Sequence, residues 1–278
     1  MDTYLEKYHI PAVDYSEGVK TAYPQGVQAK EFILPKELLE QDCVISLSKM
    51  KTHALERITG AVKNSYGFVY GFHKAKGHTQ YPSADSFARM LIDLNKCVAP
   101  KLYVMDGIVA MEGNGPGSGD PVPMNVLLMS TDPVALDSVF SRLVYLKPEM
   151  VPTNYHGEKM GLGTWKEEEI TLLTPDGEIS MAEAVKKYGN PAFNVDRTEV
   201  RKNIWTRMAG ALNIFQKKPY IEADKCVRCG ICVQSCPVPG KAVDFRKGKG
   251  KPPVYDYRKC IRCFCCQEMC PKKAIKVK

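Results

Sequence analysis

Two short cysteine-rich stretches near the C-terminus decide the fold of that part of the chain. Residues 226–237 read CVRCGICVQSCP, and residues 260–271 read CIRCFCCQEMCP. In each stretch the cysteine spacing is two, two and three residues, and a proline follows the last cysteine of the pattern. Nine of the 11 cysteines in the 278-residue chain lie between residues 226 and 270. This crowding favours metal ligation over disulfide cross-linking, and it implies a reducing compartment in which thiols stay unoxidised.

The spacing matches that of bacterial ferredoxins that hold two [4Fe–4S] clusters. In that pattern the first three cysteines of a stretch bind one cluster, and the fourth binds the other cluster. We therefore predict two [4Fe–4S] clusters with crossed ligation. The first ligand set is Cys226, Cys229, Cys232 and Cys270, and the second is Cys260, Cys263, Cys266 and Cys236.

Zinc is the main alternative, because paired C-x₂-C units also build tetrahedral zinc sites. Zinc explains neither the third regularly spaced cysteine nor the fourth one with its proline, so the clusters are favoured. Cys265 stands outside the pattern, next to Cys266. It could be a spare ligand, a redox-sensitive thiol or a small buried residue near a cluster, and the last is the default. Cys43 and Cys97 lie in apolar sequence and are predicted to be core residues.

The charge of the chain is concentrated in the cysteine-rich tail. The net charge is +8, yet residues 221–278 alone hold 14 Lys and Arg against 5 Asp and Glu. A basic face there could attract an acidic redox partner and offset the charge of cysteine-ligated clusters. A merely solvated surface is an equally good interpretation of any single lysine. The sequence has no recognition helix or base-stacking motif, so no nucleic acid is expected as a partner.

The first two hundred residues alternate between short apolar runs and helical patterns. This alternation predicts an α/β domain with a mostly parallel sheet over residues 1–217, followed by a small α+β ferredoxin-like dicluster domain over residues 218–278. Residues 65–82 are rich in glycine and aromatic residues and are predicted to form a loop. An amphipathic helix over residues 201–217 would dock one domain on the other or lie on a membrane surface. Strands are predicted at residues 43–47 (buried), 102–105, 125–129 and 170–173, and helices over residues 83–98 and after Asp132-Pro133.

Two segments of the predicted α/β domain carry polar groups near predicted strand ends, where open α/β sheets bind ligands. The first segment, residues 49–64, is basic and could bind an anion. A solvated loop is an equally good interpretation of it. The second segment, residues 105–120, is rich in glycine. It is not a dinucleotide-binding fingerprint, because Pro116 interrupts it and no helix starts on it. A flexible loop is the alternative there. The candidate catalytic or binding residues are Lys49, Lys51, His53 and Lys63, with Asp106, Glu112 and Asn114 opposite.

Taken together, these segments resemble the domain of unknown function 362 family, whose members often end in a dicluster ferredoxin domain. The resemblance covers the chain from about residue 33 onward and implies an iron–sulfur protein without naming a substrate. Family members usually have a longer stretch before these segments, so the chain is expected to be N-terminally short. The matching segments are KMKTH (49–53), GAVKN (60–64), MDG (105–107), EGNGP (112–116), TDPVALD (131–137) and KCIRCFCCQE (259–268).

The leading functional hypothesis is an iron–sulfur electron-transfer protein, an oxidoreductase or a subunit of one. Its clusters would pass single electrons to a site on the α/β domain or to a partner. A small anionic or oxygen-rich ligand would bind near the lysines, where a histidine or carboxylate could move a proton. The alternative is a non-enzymatic binding or assembly module, in which the clusters are structural or serve the maturation of a partner. With no apolar run long enough to span a bilayer and no signal peptide at the start, a cytoplasmic location is expected.

Overall fold

The computed structural model of the chain describes residues 2–71, 73–117, 119–199 and 218–278. The predicted helix over residues 201–217 lies outside the described residues. Up to residue 199 the elements are, in chain order, α1 (Asp2–Lys7), β1 (Gly18–Ala22), β2 (Glu31–Pro35), α2 (Lys36–Leu39), β3 (Ile45–His53), β4 (Arg57–Thr59), α3 (Ala61–Asn64), α4 (His73–Gln80), α5 (Ala84–Val98), β5 (Leu102–Glu112), β6 (Asp120–Ser130), α6 (Pro133–Leu143), α7 (Pro152–Lys159), β7 (Leu172–Thr174), β8 (Gly177–Ile179) and α8 (Met181–Tyr188). Beyond residue 218 they are β9 (Pro219–Ile221), α9 (Ile231–Gln234), β10 (Val243–Asp244), β11 (Val254–Tyr255), α10 (Cys265–Glu268) and β12 (Ile275–Val277).

A four-stranded mixed sheet organises the N-terminal part, with the strand order β4-β3-β5-β6. The central strands β3 and β5 are parallel, whereas β4 and β6 pair antiparallel with them at the two edges. The expectation of a mostly parallel sheet is therefore not confirmed. The connections explain the difference: β4 and β6 each follow their neighbour through a short loop, and only β3 and β5 are joined by a helical crossover.

The two long helices of the N-terminal part begin where the sequence predicts. The Ser83 side chain accepts a hydrogen bond from Ser86 N, so α5 starts at a capping box. Asp132 Oδ1 accepts hydrogen bonds from Val134 N (2.7 Å) and Ala135 N (2.9 Å), which caps α6. Free amides at a helix start need such acceptors, and these side chains supply them locally.

The core lies on one face of the mixed sheet. Met50, Met105 and Phe140 belong to one buried cluster formed by the sheet and α6, while α5 packs into a second cluster with β2. The opposite face of β3 is exposed, because Ile45 is 53% and Leu47 is 74% accessible. The strand predicted at residues 43–47 is found from Ile45 onward, as the start of β3, but the apolar side chains of this run are not buried.

Two further expectations are corrected by the structure, and a third holds in part. Residues 73–80 form helix α4 within the segment that was predicted to be a loop. Cys43 is exposed rather than part of the core, because it precedes β3 at the surface. Cys97 is partly buried against the second cluster, so the core interpretation holds for this residue to that extent.

The C-terminal part consists of two short antiparallel pairs, β9 with β12 and β10 with β11. Each cysteine stretch runs into one short helix, α9 or α10. The two stretches follow the same backbone path, with φ of +58° at Arg228 and +57° at Arg262, and +79° at Gly230 and +60° at Phe264. The repeated cysteine spacing is therefore matched by a repeated loop conformation.

Candidate functional site

The cysteines of the first predicted ligand set meet around one small cavity. Cys226, Cys229, Cys232 and Cys270 all line it. The pKa of Cys232 is raised to about 11, first by burial and then by the three other thiols. The fourth cysteine comes from the other stretch, so the cavity joins the two stretches in the crossed manner that the spacing predicts.

The second predicted set also draws on both stretches. Burial raises the pKa of Cys260, and the neighbouring thiols Cys263 and Cys236 act in the same direction. Burial likewise raises the pKa of Cys266, with Cys263 and Cys260 among its neighbours. The assignment of each cysteine to a cluster stays a prediction.

The donor set fits iron–sulfur clusters chemically. A buried thiol resists losing its proton, so a thiolate at these positions needs a positive group beside it. Hydrogen bonds to the sulfurs also help to hold a cluster. Ala242 N donates to Cys236 Sγ (3.3 Å), and Ala274 N donates to Cys270 Sγ (3.3 Å). Within the described part of the chain, no group of three or more His, Cys, Asp and Glu side chains is arranged to hold a single metal ion.

Cys265 is buried beside the second set, as predicted. Its thiol hydrogen-bonds to Cys263, and this contact raises the pKa of Cys265 while it lowers the pKa of Cys263. The Tyr255 hydroxyl donates to Cys266 Sγ at 3.1 Å. Cys265 and Tyr255 thus each hydrogen-bond to one thiol of the second set.

The C-terminal part docks on the loop between β5 and β6. Gln267, which is fully buried, donates from Nε2 to the carbonyls of Asn114 (2.8 Å) and Gly115 (3.0 Å). Asn114 Nδ2 donates to Ile275 O at 3.0 Å. A Cβ at Gly117 would lie 2.7 Å from the backbone of the C-terminal part, so glycine permits the close approach. The glycine-rich loop is a docking surface for the cysteine-bearing part of the chain.

A second contact joins β3 to α10. His53 Nε2 lies 3.1 Å from Glu268 Oε1, while His53 Nδ1 accepts hydrogen bonds from Leu55 N and Glu56 N. Because Nδ1 is an acceptor, the ring is neutral with its proton on Nε2. Burial lowers the pKa of His53 to about 4, which agrees with that tautomer. Burial works to raise the pKa of Glu268, but the hydrogen bond from His53 and the charge of Lys63 outweigh it and lower this pKa to about 2.

A cavity of about 920 Å³ lies between the two docked parts. Both parts contribute charged and apolar side chains to its wall. Cys236, a predicted ligand of the second set, is part of this wall. The N-terminal side includes Lys51, Thr59, Lys63, Tyr66, Lys74 and His78, and the C-terminal side includes Ile231, Gln234, Cys236, Lys241, Cys265, Glu268 and Met269.

The structure brings some of the candidate residues to this cavity. Lys51 and Lys63 line it directly. His53 reaches it through the Glu268 carboxylate. These three residues lie near the predicted cluster ligands.

The remaining candidates lie elsewhere and do not stand opposite these lysines. Lys49 pairs with Asp106 at the surface, where both side chains are more than 40% exposed. Glu112 accepts a hydrogen bond from Asn194 N (2.7 Å), and Asn114 holds the C-terminal part. Lys49 and Asp106 are held by their ion pair across β3 and β5, away from the cavity.

Sequence reasoning missed several residues of the cavity wall. Lys74 and His78 lie on α4, in the segment that was predicted to be a loop. Glu268 and Lys241 lie beside the cysteines in the sequence, but the cysteine spacing predicts only the thiol ligands. The sequence signal for Glu268 is that it ends the segment at residues 259–268, which carries part of the family resemblance.

Comparison with known families agrees with the resemblance. A family model described as Domain of unknown function (DUF362) matches residues 1–142. The chain belongs to this family. A model described as a 4Fe-4S dicluster domain matches residues 218–271 of this DUF362 member.

One curated relative of this DUF362 member is the "Thylakoid-associated protein sll1697" of Synechocystis sp. (strain ATCC 27184 / PCC 6803 / Kazusa). The two are 42% identical over 130 residues, which is 46% of this chain and 40% of that protein. No solved structure matches the chain. None of the described helices combines the length and apolarity needed to cross a bilayer.

Proposed function

We propose that this DUF362 member is an electron-transfer protein, an oxidoreductase or a subunit of one, that delivers single electrons to a ligand in the cavity between its two parts. The observation that carries the proposal is that Cys236, a predicted ligand of the second set, lines that cavity. A pair of [4Fe–4S] clusters, when bound, takes up and releases single electrons. The match to a 4Fe-4S dicluster domain supports this chemistry.

Different residues of the chain have different roles in this proposal. Eight cysteines bind the two clusters in the crossed arrangement, and residues 218–278 act as a ferredoxin-like domain docked on residues 1–217. Gln267 and His53 fix this docking, so the second ligand set stays at one distance from the cavity. Lys51 and Lys63 would bind a small anionic ligand on the α/β domain.

Electrons enter at the first set in this proposal. Cys229 is the exposed member of that set. The surrounding tail carries the positive charge of the molecule, which would steer an acidic redox partner toward it. The protein would work in a reducing compartment such as the cytoplasm, where free thiols persist.

Anaerobic preparation of the full chain, with iron and sulfide analysis and an EPR-monitored redox titration, tests the proposal. We expect about eight iron and eight sulfide ions per chain and two reducible centres. Cys236→Ser should lose one centre, whereas Cys43→Ser, which changes an exposed cysteine outside both sets, should keep both.

Two outcomes would overturn the proposal. Clusters that bind but cannot be reduced by low-potential donors would favour the binding or assembly module. A preparation that holds zinc alone would remove the basis for electron transfer altogether.

A further inference from the structure

Three ammonium groups on one wall of the cavity form no salt bridge within the described part of the chain. They belong to Lys51, Lys63 and Lys74, and none of them makes an ion pair or a side-chain hydrogen bond there. Lys63 is only 9% exposed. Burial and then the charge of Lys63 lower the pKa of both Lys51 and Lys74, because like charges close together repel.

The other charged groups of the wall do not offset these three. Lys241 uses its ammonium group to hold the cysteine loop, with bonds to the carbonyls of Cys236 (2.7 Å) and Gln234 (3.3 Å). Glu268 is the carboxylate on the wall, and His53 already holds it. With Lys241, whose bonds to neutral carbonyls leave its charge in place, four ammonium groups against one carboxylate leave three positive charges on the described wall of the cavity.

Two buried polar atoms on the same wall also lack a partner. Thr59 Oγ1 and His78 Nδ1 make no hydrogen bond within the described residues, although Thr59 is 1% and His78 is 4% exposed. Leaving a buried polar group unpaired is costly, so such atoms usually meet a ligand or water. Both residues line the cavity.

The rest of the wall is largely apolar. Tyr66 contributes from the N-terminal part, and Ile231, Pro237 and Met269 contribute from the C-terminal part. The volume of about 920 Å³ lies within the range of pockets that enclose small organic molecules. An inorganic ion would leave most of this apolar surface uncovered.

We propose that the cavity binds an organic anion with at least two negative charges on an apolar body, held by Lys51, Lys63 and Lys74 with Thr59 and His78 as polar contacts. The inference rests on the proposed function, because the cavity is the site to which the clusters would deliver electrons. Carboxylate and phosphate groups share the required chemistry. The lysines could instead serve only to offset the charge of the neighbouring cluster, and the experiment separates these roles.

Isothermal titration of the anaerobic holoprotein at constant ionic strength tests the site. The probes are phthalate and phenyl phosphate, compared with benzoate, citrate and inorganic phosphate. We expect the two aryl dianions to bind at least about tenfold more tightly than benzoate, which lacks the second charge, and than inorganic phosphate, which lacks the apolar body. The ratio between phthalate and phenyl phosphate distinguishes a carboxylate from a phosphate ligand.

Two cavity variants and one control complete the test. Lys63→Met should weaken binding of the better aryl dianion about 10- to 100-fold, and Lys51→Met gives a second, less buried site for the same measurement. Lys101→Met, which changes an exposed lysine outside the cavity wall, should leave binding unchanged. The EPR titration without any probe reports cluster reduction separately, so failure of the proposed function is recognised independently of failure of this site.

Equal binding of all probes, or binding that both cavity variants leave unchanged, would overturn the inference. A shift in the potential of one cluster in Lys63→Met without any change in binding would do the same, because it would assign the lysines to charge compensation.

Discussion

His53 joins the two parts of the chain, and replacing it offers a direct test of their docking. The substitution His53→Ala removes a hydrogen bond to the ionised Glu268 and leaves the amides of Leu55 and Glu56 without their acceptor. A hydrogen bond to a charged group contributes about 1.5–3 kcal/mol, and each lost backbone acceptor costs about 1 kcal/mol. We therefore expect a loss of roughly 4 kcal/mol in the free energy of unfolding.

Urea unfolding of the anaerobic holoprotein, followed by far-UV circular dichroism, measures this loss. His53→Asn keeps one donor and one acceptor, so it should lose less than the alanine variant. His73→Ala, which changes an exposed histidine on α4, serves as the control and should change stability by less than about 0.5 kcal/mol. A loss below about 1 kcal/mol in His53→Ala would show that these contacts do not hold the two parts together.

Two further predictions concern pH and the support of Lys63. The pKa of His53 is lowered to about 4 by burial, while the unfolded chain has the ordinary value near 6.5. As the pH falls, His53 is therefore protonated first in the unfolded state. Its contribution to the free energy of unfolding is present above pH 6.5 and is lost toward pH 4. The loss between pH 7 and pH 5 is about 2 kcal/mol. Denaturation curves at several pH values should show a shallower slope in His53→Asn, and equal slopes would contradict the assignment. Asp137→Ala should cost about 2–4 kcal/mol in urea unfolding, because Asp137 accepts from the amides of Ala61 and Val62 at the start of α3, which carries Lys63; Asp137→Asn keeps one acceptor and should lose less. Equal stability of Asp137→Ala and the unchanged chain would refute the capping role.

Several elements of the fold could be predicted because their signals are local. Ser83 and Asp132 cap the helices that follow them within three residues, so the sequence alone shows where α5 and α6 begin. Whether neighbouring strands run parallel or antiparallel could not be predicted from such local signals. The direction of β4 and β6 depends on short turns, and the strand signal is the same for both directions.

The candidate site was predicted only in part for the same reason. Lys51 and Lys63 were identified as basic residues near strand ends, and both reach the cavity. Asp106 was also expected there, but it pairs with Lys49 across two strands. Sequence position shows that these groups are near the sheet, but which neighbour each one meets depends on the register of β3 against β5.

The sequence by itself determined the cysteine pattern, because three of the predicted ligands of each cluster lie within seven residues, where the covalent chain keeps them close together. The tertiary structure alone decided what stands beside them. His53 and Glu268 are 215 residues apart in the chain, yet their side chains meet, and residues of both parts form the wall of the cavity. Contacts over such distances depend on packing and burial across the whole fold, and no local pattern in the chain records them.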